Sequence, residues 1–446
     1  MFTPDSALKH IRDNNIELID LQFTDILGSV KSVTIPENRL EDVFERGLWF
    51  DGSSIYGFAR IQESDMLLMP DAKTYRVLPW VEEPPLRARI ICDVLTADGE
   101  PFVGDPRYAL KRAVARAEAL GFTSYNIGPE LEFFLFRKPQ NGSTLSAVPH
   151  DVGGYFDFSP NDEAERVRSA ITTVLQKLNI DVEMNHHEVA IGQHEVDFRY
   201  SDALHSADNA ITFKYAVKGV AVKHGLLATF MPKPIFGQNG SGMHCHQSLF
   251  RGDENAFYDD NDTYKLSETA YQFMAGLLHH ARGLSAVVAP SVNSYKRLTP
   301  GYEAPVYICW AQQNRSALIR VPRYTPGREK SVRIELRFPD PSANPYLAFA
   351  AMLEAGLDGI EKKMTAPPAI NEDVFEWTPE QREAHGVGVL PSTLEDAMNA
   401  LAEDEVIQRA LGNHIYNAFD RAKRAEWESY RLHVTNWEIN RYLETT

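Results

Sequence analysis

Gly128-Pro-Glu-Leu-Glu-Phe-Phe-Leu-Phe136 combines alternating carboxylates with large apolar side chains. Side chains two residues apart lie on the same face of a β-strand. The segment therefore predicts a strand that carries Glu130 and Glu132 on one face and apolar side chains on the other. Two carboxylates about 7 Å apart repel each other when they are buried, unless a cation lies between them. We therefore expect a cation-binding pocket beside this strand.

Three more segments show the same alternation of polar and apolar residues. They are His194-Glu-Val-Asp-Phe-Arg199, Gly242-Met-His-Cys-His-Gln-Ser248 and Arg333-Ile-Glu-Leu-Arg-Phe338. On each predicted strand the polar face carries Glu, Asp, His or Arg side chains, whereas Cys245 faces the core. A strand with one solvated face has the same pattern, so each segment alone leaves both interpretations open. The four segments together favour one pocket.

A sixth metal-binding side chain is expected outside these strands. Glu188 follows two histidines and precedes a glycine-containing turn. The candidate metal ligands are Glu130, Glu132, Glu188, Glu195, His244 and Glu335. Five carboxylates and one imidazole suit Mg²⁺ or Mn²⁺, whereas zinc prefers more nitrogen or sulfur ligands. So many carboxylates favour two cations, and paired cations are typical of phosphoryl transfer.

Glycines and arginines near these segments indicate an anionic substrate. Three glycines occupy Gly237–Gly242, directly before His244, so that backbone N–H groups can approach a phosphate or a carboxylate. A plain hairpin connection would also use such glycines, and the Walker spacing is missing. Guanidinium groups bind carboxylate and phosphate through paired hydrogen bonds, although surface arginines are common. The candidate arginines are Arg297, Arg315, Arg320 and Arg337.

Composition narrows the classes of function. The chain has 446 residues, of which 43% are apolar and 24% charged, so it is long enough for two or three domains. A net charge of −17 argues against nucleic acid or an anionic membrane as the main partner. Three scattered cysteines do not make a disulfide framework. With no apolar leader and no long apolar segment, we expect a cytoplasmic protein.

Helix and strand patterns divide the chain near residue 103. Residues 1–103 show a short helix and several strand-like runs, which predict a small α+β domain. Residues 104–446 alternate strands with long helices, among them a single predicted helix over Lys265–Val288. The polar, proline-rich segment Thr365–Ser392 is predicted to form a surface loop.

Eight sequence strings, in order along the chain, resemble glutamine synthetase of the bacterial and archaeal type I family. They are Phe50-Asp-Gly-Ser-Ser54, Gly128-Pro-Glu-Leu-Glu-Phe133, His186-His-Glu-Val189, Met231-Pro-Lys-Pro234, Asn239-Gly-Ser-Gly-Met-His244, Asn293-Ser-Tyr-Lys-Arg297, Asn314-Arg-Ser316 and Arg337-Phe-Pro-Asp-Pro-Ser-Ala-Asn-Pro-Tyr346. The resemblance implies an α+β protein with an N-terminal β-grasp domain and a C-terminal α/β catalytic domain of the glutamine synthetase/guanido kinase type. It also implies the non-adenylylated subgroup, because Phe375 replaces the modifiable tyrosine.

The resemblance implies ATP-dependent ligation of ammonia to L-glutamate, which gives L-glutamine, ADP and phosphate through γ-glutamyl phosphate. Two or more Mg²⁺ or Mn²⁺ ions are implied per subunit. One is assigned to Glu132, Glu188 and Glu195, and the other to Glu130, His244 and Glu335. Glutamate is assigned to Asn239, Gly240, Arg297 and Arg337.

The resemblance also assigns residues to the nucleotide site, to the ammonium ion and to regulation. The nucleotide site is assigned to Glu183, His246, Ser248 and Lys330, with Arg315 and Arg320 on the transferring phosphate. Asp51 of a neighbouring subunit would deprotonate ammonium, and Glu303 would lie on a lid over the intermediate. Arg60 corresponds to an arginine linked to feedback by glutamine.

The implied assembly is a homododecamer of two stacked hexamers with active sites between subunits, and nitrogen-regulatory proteins are further implied partners. Two alternatives stay open at this point. One is a γ-glutamyl ligase of the same superfamily that uses a larger amine, and the other is a non-catalytic paralogue. Asp51 and Glu303 favour ammonia over a larger amine, and the intact metal ligands argue against a non-catalytic chain.

Overall fold

The computed structural model describes residues 2–58, 65–138, 147–160, 162–302, 304–314 and 316–445. Two sheets organise these residues, one in each half of the predicted division. The strands are β1 Ile16–Thr24, β2 Val30–Pro36, β3 Leu48–Asp51, β4 Asp65–Pro70, β5 Arg76–Val77, β6 Leu86–Thr96, β7 Ser124–Arg137, β8 Val182–His187, β9 Gln193–Phe198, β10 Ser201–Asp202, β11 Leu226–Thr229, β12 Met243–Arg251, β13 Glu254–Asn255, β14 Tyr307–Ala311, β15 Ala317–Arg320, β16 Ile334–Leu336 and β17 Gly388–Val389.

Helices cover these sheets and form the C-terminal part of the chain. They are α1 Pro4–Asp13, α2 Leu40–Arg46, α3 Pro106–Ala119, α4 Glu165–Lys177, α5 Ala203–Lys223, α6 Glu268–His279, α7 Ala281–Val288, α8 Ser294–Arg297, α9 Pro345–Glu361, α10 Pro379–Ala384, α11 Leu394–Ala402, α12 Glu405–Leu411, α13 Asn413–Arg431 and α14 Asn436–Tyr442. Among them, none combines the length and the apolar character that a membrane crossing requires.

The N-terminal sheet has the strand order β2-β1-β6-β4-β3, with β5 paired to β6. Strands β1 and β6 run parallel, and their other neighbours are antiparallel. Ile19, Leu21 and Ile90 point into a core that is fully closed to solvent. Helix α1 begins after an N-cap formed by Thr3 and is the short helix predicted for this domain.

The second sheet has the order β17-β14-β15-β16-β12-β7-β9-β8, and β10, β11 and β13 extend it. The four predicted polar-faced strands are β7, β9, β12 and β16, which are direct neighbours in the order β16-β12-β7-β9. On their other faces Leu131, Phe133, Cys245 and Leu336 are buried in the main core. Their apolar burial therefore turns all four polar faces to the same side of one sheet.

Two predictions about the helical half are wrong. The single helix predicted over Lys265–Val288 is two helices, α6 and α7, with His280 between them. The predicted surface loop Thr365–Ser392 includes α10 and β17, and Val374, Val387 and Leu390 in it are buried. The buried residues are spread over a polar, proline-rich segment, so its composition did not indicate that the segment packs on the core.

Candidate active site

Strand register brings the candidate metal ligands together. In strands β7, β9, β12 and β16 the polar residues lie on one face, and the antiparallel pairing aligns them across the strands. Directly opposite pairs have close side chains. Three such pairs are His244 and Glu130, Glu132 and Glu195, and His246 and Glu335.

The first cluster consists of Glu130, His244 and Glu335, whose ligand atoms all lie within 4.8 Å of one another. The Nδ1 atom of His244 is 3.5 Å from Glu130 Oε2 and 3.8 Å from Glu335 Oε1. Burial and the nearby Arg337 guanidinium lower the pKa of His244 to about 4. A neutral imidazole beside two carboxylates is a suitable ligand set for Mg²⁺ or Mn²⁺.

The second cluster consists of His186, Glu188 and Glu195, whose ligand atoms also lie within 4.8 Å of one another. His186 Nδ1 is 3.5 Å from Glu188 Oε1, and His186 Nε2 is 3.4 Å from Glu195 Oε2. The resemblance assigns Glu132 to one cation together with Glu188 and Glu195, and this assignment stays a prediction. In the structure Glu132 Oε2 accepts hydrogen bonds from Gln193 Nε2 at 2.7 Å and from the Gly242 N–H at 3.1 Å.

Glu132 adjoins both clusters, since its Oε1 atom is 3.9 Å from His244 Nε2 and it is paired with Glu195 across strands β7 and β9. Burial, followed by the charge of Glu188, raises its pKa to about 8. Burial and Asp197 raise the pKa of Glu195 well above its usual value. Raised pKa values are expected where carboxyl groups lie close to one another in a buried space, and a bound cation would favour their ionised forms. The residues present therefore fit divalent cations.

Binding of Mn²⁺ to the metal-free protein is expected to tighten as the pH rises from about 6 to about 9. Burial raises the pKa of Glu132 to about 8 and that of Glu195 well above its usual value, so a cation must displace protons that these groups hold more tightly than free carboxyl groups do. Titration calorimetry in two buffers of different ionisation enthalpy measures the protons released. An affinity that does not change with pH, with no proton release, contradicts this prediction.

A cavity of about 310 Å³ lies over the two clusters. The four residues that the sequence assigned to glutamate line it, namely Asn239, Gly240, Arg297 and Arg337. A Cβ atom at Gly240 would lie 2.3 Å from the Pro232 carbonyl oxygen. This close approach of backbone accounts for a glycine in the turn before His244.

Two arginines meet on Glu335, which is buried in the floor of this cavity. Arg337 Nη1 donates to Glu335 Oε1 at 2.7 Å, and Arg320 Nε donates to Glu335 Oε2. Arg320, which the resemblance assigns to the transferring phosphate, lines this smaller cavity. Both guanidinium groups are hydrogen-bonded to the same carboxylate, Glu335. Both line the smaller cavity, where a substrate anion would bind.

A larger cavity of about 820 Å³ adjoins the first one. It is lined by the residues predicted for the nucleotide, Glu183, His246, Ser248 and Lys330. His246 Nδ1 accepts from Arg333 Nε at 3.1 Å, so its Nε2–H donates to Glu130 Oε1 at 2.8 Å. This pair of contacts orients an imidazole at the boundary with the metal clusters.

The two cavities share a wall made of Glu130, Met184 and Asp197. Sequence reasoning left four residues of the site unassigned, namely His186, Gln193, Asp197 and Arg333. The sequence did contain a pattern that indicates Asp197 and Arg333. Each lies two residues from a candidate ligand, Glu195 or Glu335, and therefore on the same strand face. The contact between Gln193 and Glu132 depends on how β9 pairs with β7, which the spacing along one strand does not reveal.

Of the predicted site residues, three lie outside the residues that the structure describes, and a fourth lines neither cavity. Glu303, Arg315 and Arg60 lie outside the described residues, although Tyr302 and Ala304, which flank the first, line the smaller cavity. Asp51 ends the edge strand β3 and lines neither cavity. Its Oδ1 accepts from the Ser53 N–H at 2.8 Å.

The chain matches two family descriptions over most of its length. Residues 103–442 match the glutamine synthetase catalytic domain, and residues 15–97 match the glutamine synthetase beta-grasp domain. The chain belongs to the glutamine synthetase family. Both the predicted family and the predicted α+β fold with two such domains are thereby confirmed, whereas the boundary between 103 and 104 stays a prediction.

Relatives and solved structures resemble the chain from end to end. It is 53% identical to glutamine synthetase from Staphylococcus aureus (strain MW2) over 443 residues, which cover 99% of this chain and 98% of that one. The same protein of Staphylococcus epidermidis is 52% identical. A solved GmaS/ADP complex is similar with a TM-score of 0.88 and 36% identity, covering 98% of this chain and 99% of that one. Plasmodium falciparum glutamine synthetase has a TM-score of 0.87 and 26% identity, with 99% of each chain covered.

Proposed function

We propose that this chain is a glutamate–ammonia ligase, which joins L-glutamate and ammonia with ATP and releases L-glutamine, ADP and phosphate. The observation that carries the proposal is the wall shared by the nucleotide-sized cavity and the smaller polar cavity. Such a wall allows a phosphoryl group to pass from a molecule in one cavity to a carboxylate in the other. The relatives in Staphylococcus, which span almost the whole chain, support the same activity.

The first step needs charge neutralisation and orientation. The γ-carboxylate of glutamate attacks the γ-phosphorus of ATP, and the bond to the β-phosphate oxygen breaks, so that ADP leaves. Arg297 and Arg337 would bind glutamate, and Arg320, together with Arg315, would hold the transferring phosphate. Mg²⁺ or Mn²⁺ in the two clusters supplies further positive charge for the phosphates when bound.

The second step is attack by ammonia on the acyl carbon of γ-glutamyl phosphate, with departure of phosphate. Ammonium must first lose a proton, and Asp51 of a neighbouring subunit is proposed to accept it. Glu303 would lie on the lid that keeps water from hydrolysing the acyl phosphate. The position of Tyr302 and Ala304 in the wall of the smaller cavity supports a role for this segment beside the substrate.

We propose the dodecamer of two stacked hexamers as the working form. Two features support it. Asp51 stands on an exposed edge strand and lines neither of the two cavities described above. The C-terminal helix α14 and the residue that follows it expose large apolar side chains, with Trp437 66% and Leu443 73% accessible. Electron microscopy of particles with Mn²⁺ and an ATP analogue tests the assembly.

The cytoplasm is the proposed location, because all three cysteines are buried as free thiols. Feedback by glutamine through Arg60 and contacts with nitrogen-regulatory proteins stay predictions of the sequence resemblance.

The activity is tested by measuring ADP, phosphate and glutamine after incubation with ATP, glutamate, Mg²⁺ and ammonium. Equal amounts of the three products are expected, and no phosphate should form when glutamate is omitted. Parallel reactions replace ammonium by hydroxylamine or by a polyamine. Turnover with a polyamine but not with ammonium would identify a ligase for a larger amine. No turnover with any amine would identify a non-catalytic member of the family.

A further inference from the structure

A third cavity, of about 390 Å³, lies where the N-terminal sheet meets helices α4 and α5. Its volume is that of a site for a small organic molecule. Four basic residues line it, namely His10, Arg76, Lys177 and His205. Arg76 Nε donates to the Leu178 carbonyl oxygen at 2.8 Å, so this arginine is held at the junction between the two parts of the chain.

The basic side chains of this cavity lack acidic partners. No Asp or Glu lines the cavity, and none of the four basic side chains forms an ion pair with another described residue. Asp202, three residues before His205, accepts from the His205 backbone N–H at 3.1 Å and does not line the cavity. The chain has 62 acidic and only 45 basic residues, so the cavity reverses the sign of the overall charge. A concave surface with one sign of charge concentrates ions of the opposite sign.

Strand register places a second arginine beside Arg76. Arg76 and Arg89 are direct partners in the antiparallel pairing of β5 with β6, and like charges in such positions repel each other. Arg89 is buried, and it donates to the Thr74 carbonyl oxygen at 2.7 Å and to Thr212 Oγ1 at 3.1 Å. Its buried Nε atom has no partner among the described residues. Burial and the charge of Arg89 lower the pKa of Arg76 to about 10.

The acid that favours the charged form of Arg76 is already occupied. This acid is Asp208, whose two oxygens accept from Arg107 Nε at 3.1 Å and from Arg107 Nη2 at 3.0 Å. The pair of arginines at the junction therefore has no carboxylate of its own. A bound anion would reduce the repulsion between them.

An aromatic surface forms another side of the cavity. The rings of Phe2 and Tyr75 meet edge to face, with centroids 4.9 Å apart. The Tyr75 hydroxyl lies 3.0 Å from His10 Nδ1, which fixes both rings against each other. Basic groups beside an apolar surface suit a ligand that carries negative charge on a small carbon skeleton.

We propose that this cavity binds a small organic dianion, either a phosphate monoester or a dicarboxylate. Its negative charges would lie beside Arg76 and Lys177, and its carbon skeleton would lie against Phe2 and Tyr75. The cavity shares no lining residue with the two cavities of the candidate active site. The assignment therefore does not rest on the proposed function.

The double variant Lys177→Gln/His205→Gln tests this site. Titration calorimetry of the metal-free, full-length protein measures the affinity for phenyl phosphate and, separately, for succinate. We expect the variant to bind at least one of these anions about 10-fold or more weakly than the wild type. The anion with the larger loss identifies the ligand as a phosphate monoester or a dicarboxylate. Equal affinities of the two proteins for both anions, or no binding by the wild type, would overturn the proposal.

The matched control is Lys218→Gln/His224→Gln, which changes the same two residue types at exposed positions of α5 and its C-cap. It should bind both anions as the wild type does. Anion binding by the active-site arginines is common to all three proteins, so a difference in affinity reports on this cavity. Thermal unfolding verifies that each variant is folded, and the increase in melting temperature with the bound anion should be smaller for Lys177→Gln/His205→Gln. If that double variant does not fold, Lys177→Gln alone is compared with Lys218→Gln in the same titrations.

Discussion

Glu335→Gln is expected to lower glutamine formation by at least about 100-fold while the protein keeps its fold. Glu335 is 1% exposed and belongs to the first metal cluster. Its two oxygens also hold the guanidinium groups of Arg320 and Arg337. An amide has one oxygen and no charge, so a cation would lose a ligand and one arginine would lose its acceptor.

The loss should appear in kcat and in the dependence of rate on Mg²⁺ concentration. Glu335→Ala is expected to lose activity as well, but it also leaves a cavity, so the isosteric variant is the sharper probe. Glu254→Gln, an exposed acid on β13, is the matched control and should retain wild-type turnover. Wild-type turnover in Glu335→Gln would remove this residue from the active site.

Gly359→Ala is expected to destabilise the catalytic domain by about 3 kcal/mol or more and to abolish soluble expression. Helices α6 and α9 cross at Gly276 and Gly359. A Cβ atom at Gly359 would lie 2.1 Å from the Gln272 carbonyl oxygen and 2.7 Å from the Gly276 nitrogen. These are backbone atoms, so the contact is relieved only if one helix moves away from the other.

The matched control for this substitution is Gly219→Ala in helix α5. A Cβ atom at this exposed position has no atom within 4 Å. Alanine favours a helix interior by about 1 kcal/mol over glycine, so this variant should melt at the same or a higher temperature. Thermal unfolding and the soluble fraction after expression compare the two variants. Equal melting temperatures for Gly359→Ala and the wild type would contradict the close crossing.

The strands of the active site could be predicted because their pattern is local. Alternation of charged and apolar residues indicated β7, β9, β12 and β16 from the sequence. The break in the helix predicted over Lys265–Val288 could not be predicted, because the apolar pattern continues through it. At the break, His280 contacts Asp358 and Asp404 through its two ring nitrogens, at 3.0 and 2.8 Å. Those partners are distant in the sequence.

The contacts within the second cluster, which join His186 to Glu188 and Glu195, also could not be predicted from the sequence. Spacing along β7 places Glu132 with Glu130, but it does not say which acid or imidazole of a neighbouring strand comes closest. The pairing of β8 with β9 sets His186 opposite Glu195. Gln193 and the Gly242 N–H meanwhile occupy one oxygen of Glu132. Register between strands, rather than periodicity within one strand, decides which of these side chains meet.

Local alternation and residue chemistry by themselves determined that this chain carries acid-rich strands suited to Mg²⁺ or Mn²⁺, and the ordered sequence strings determined its family. Only the tertiary structure decided that the four strands are neighbours, that Arg320 joins Arg337 on Glu335, and that Asp197 stands between two cavities. The physical reason is that side-chain period is a property of one strand, whereas distance between ligands depends on pairing and register between strands that are far apart in the chain.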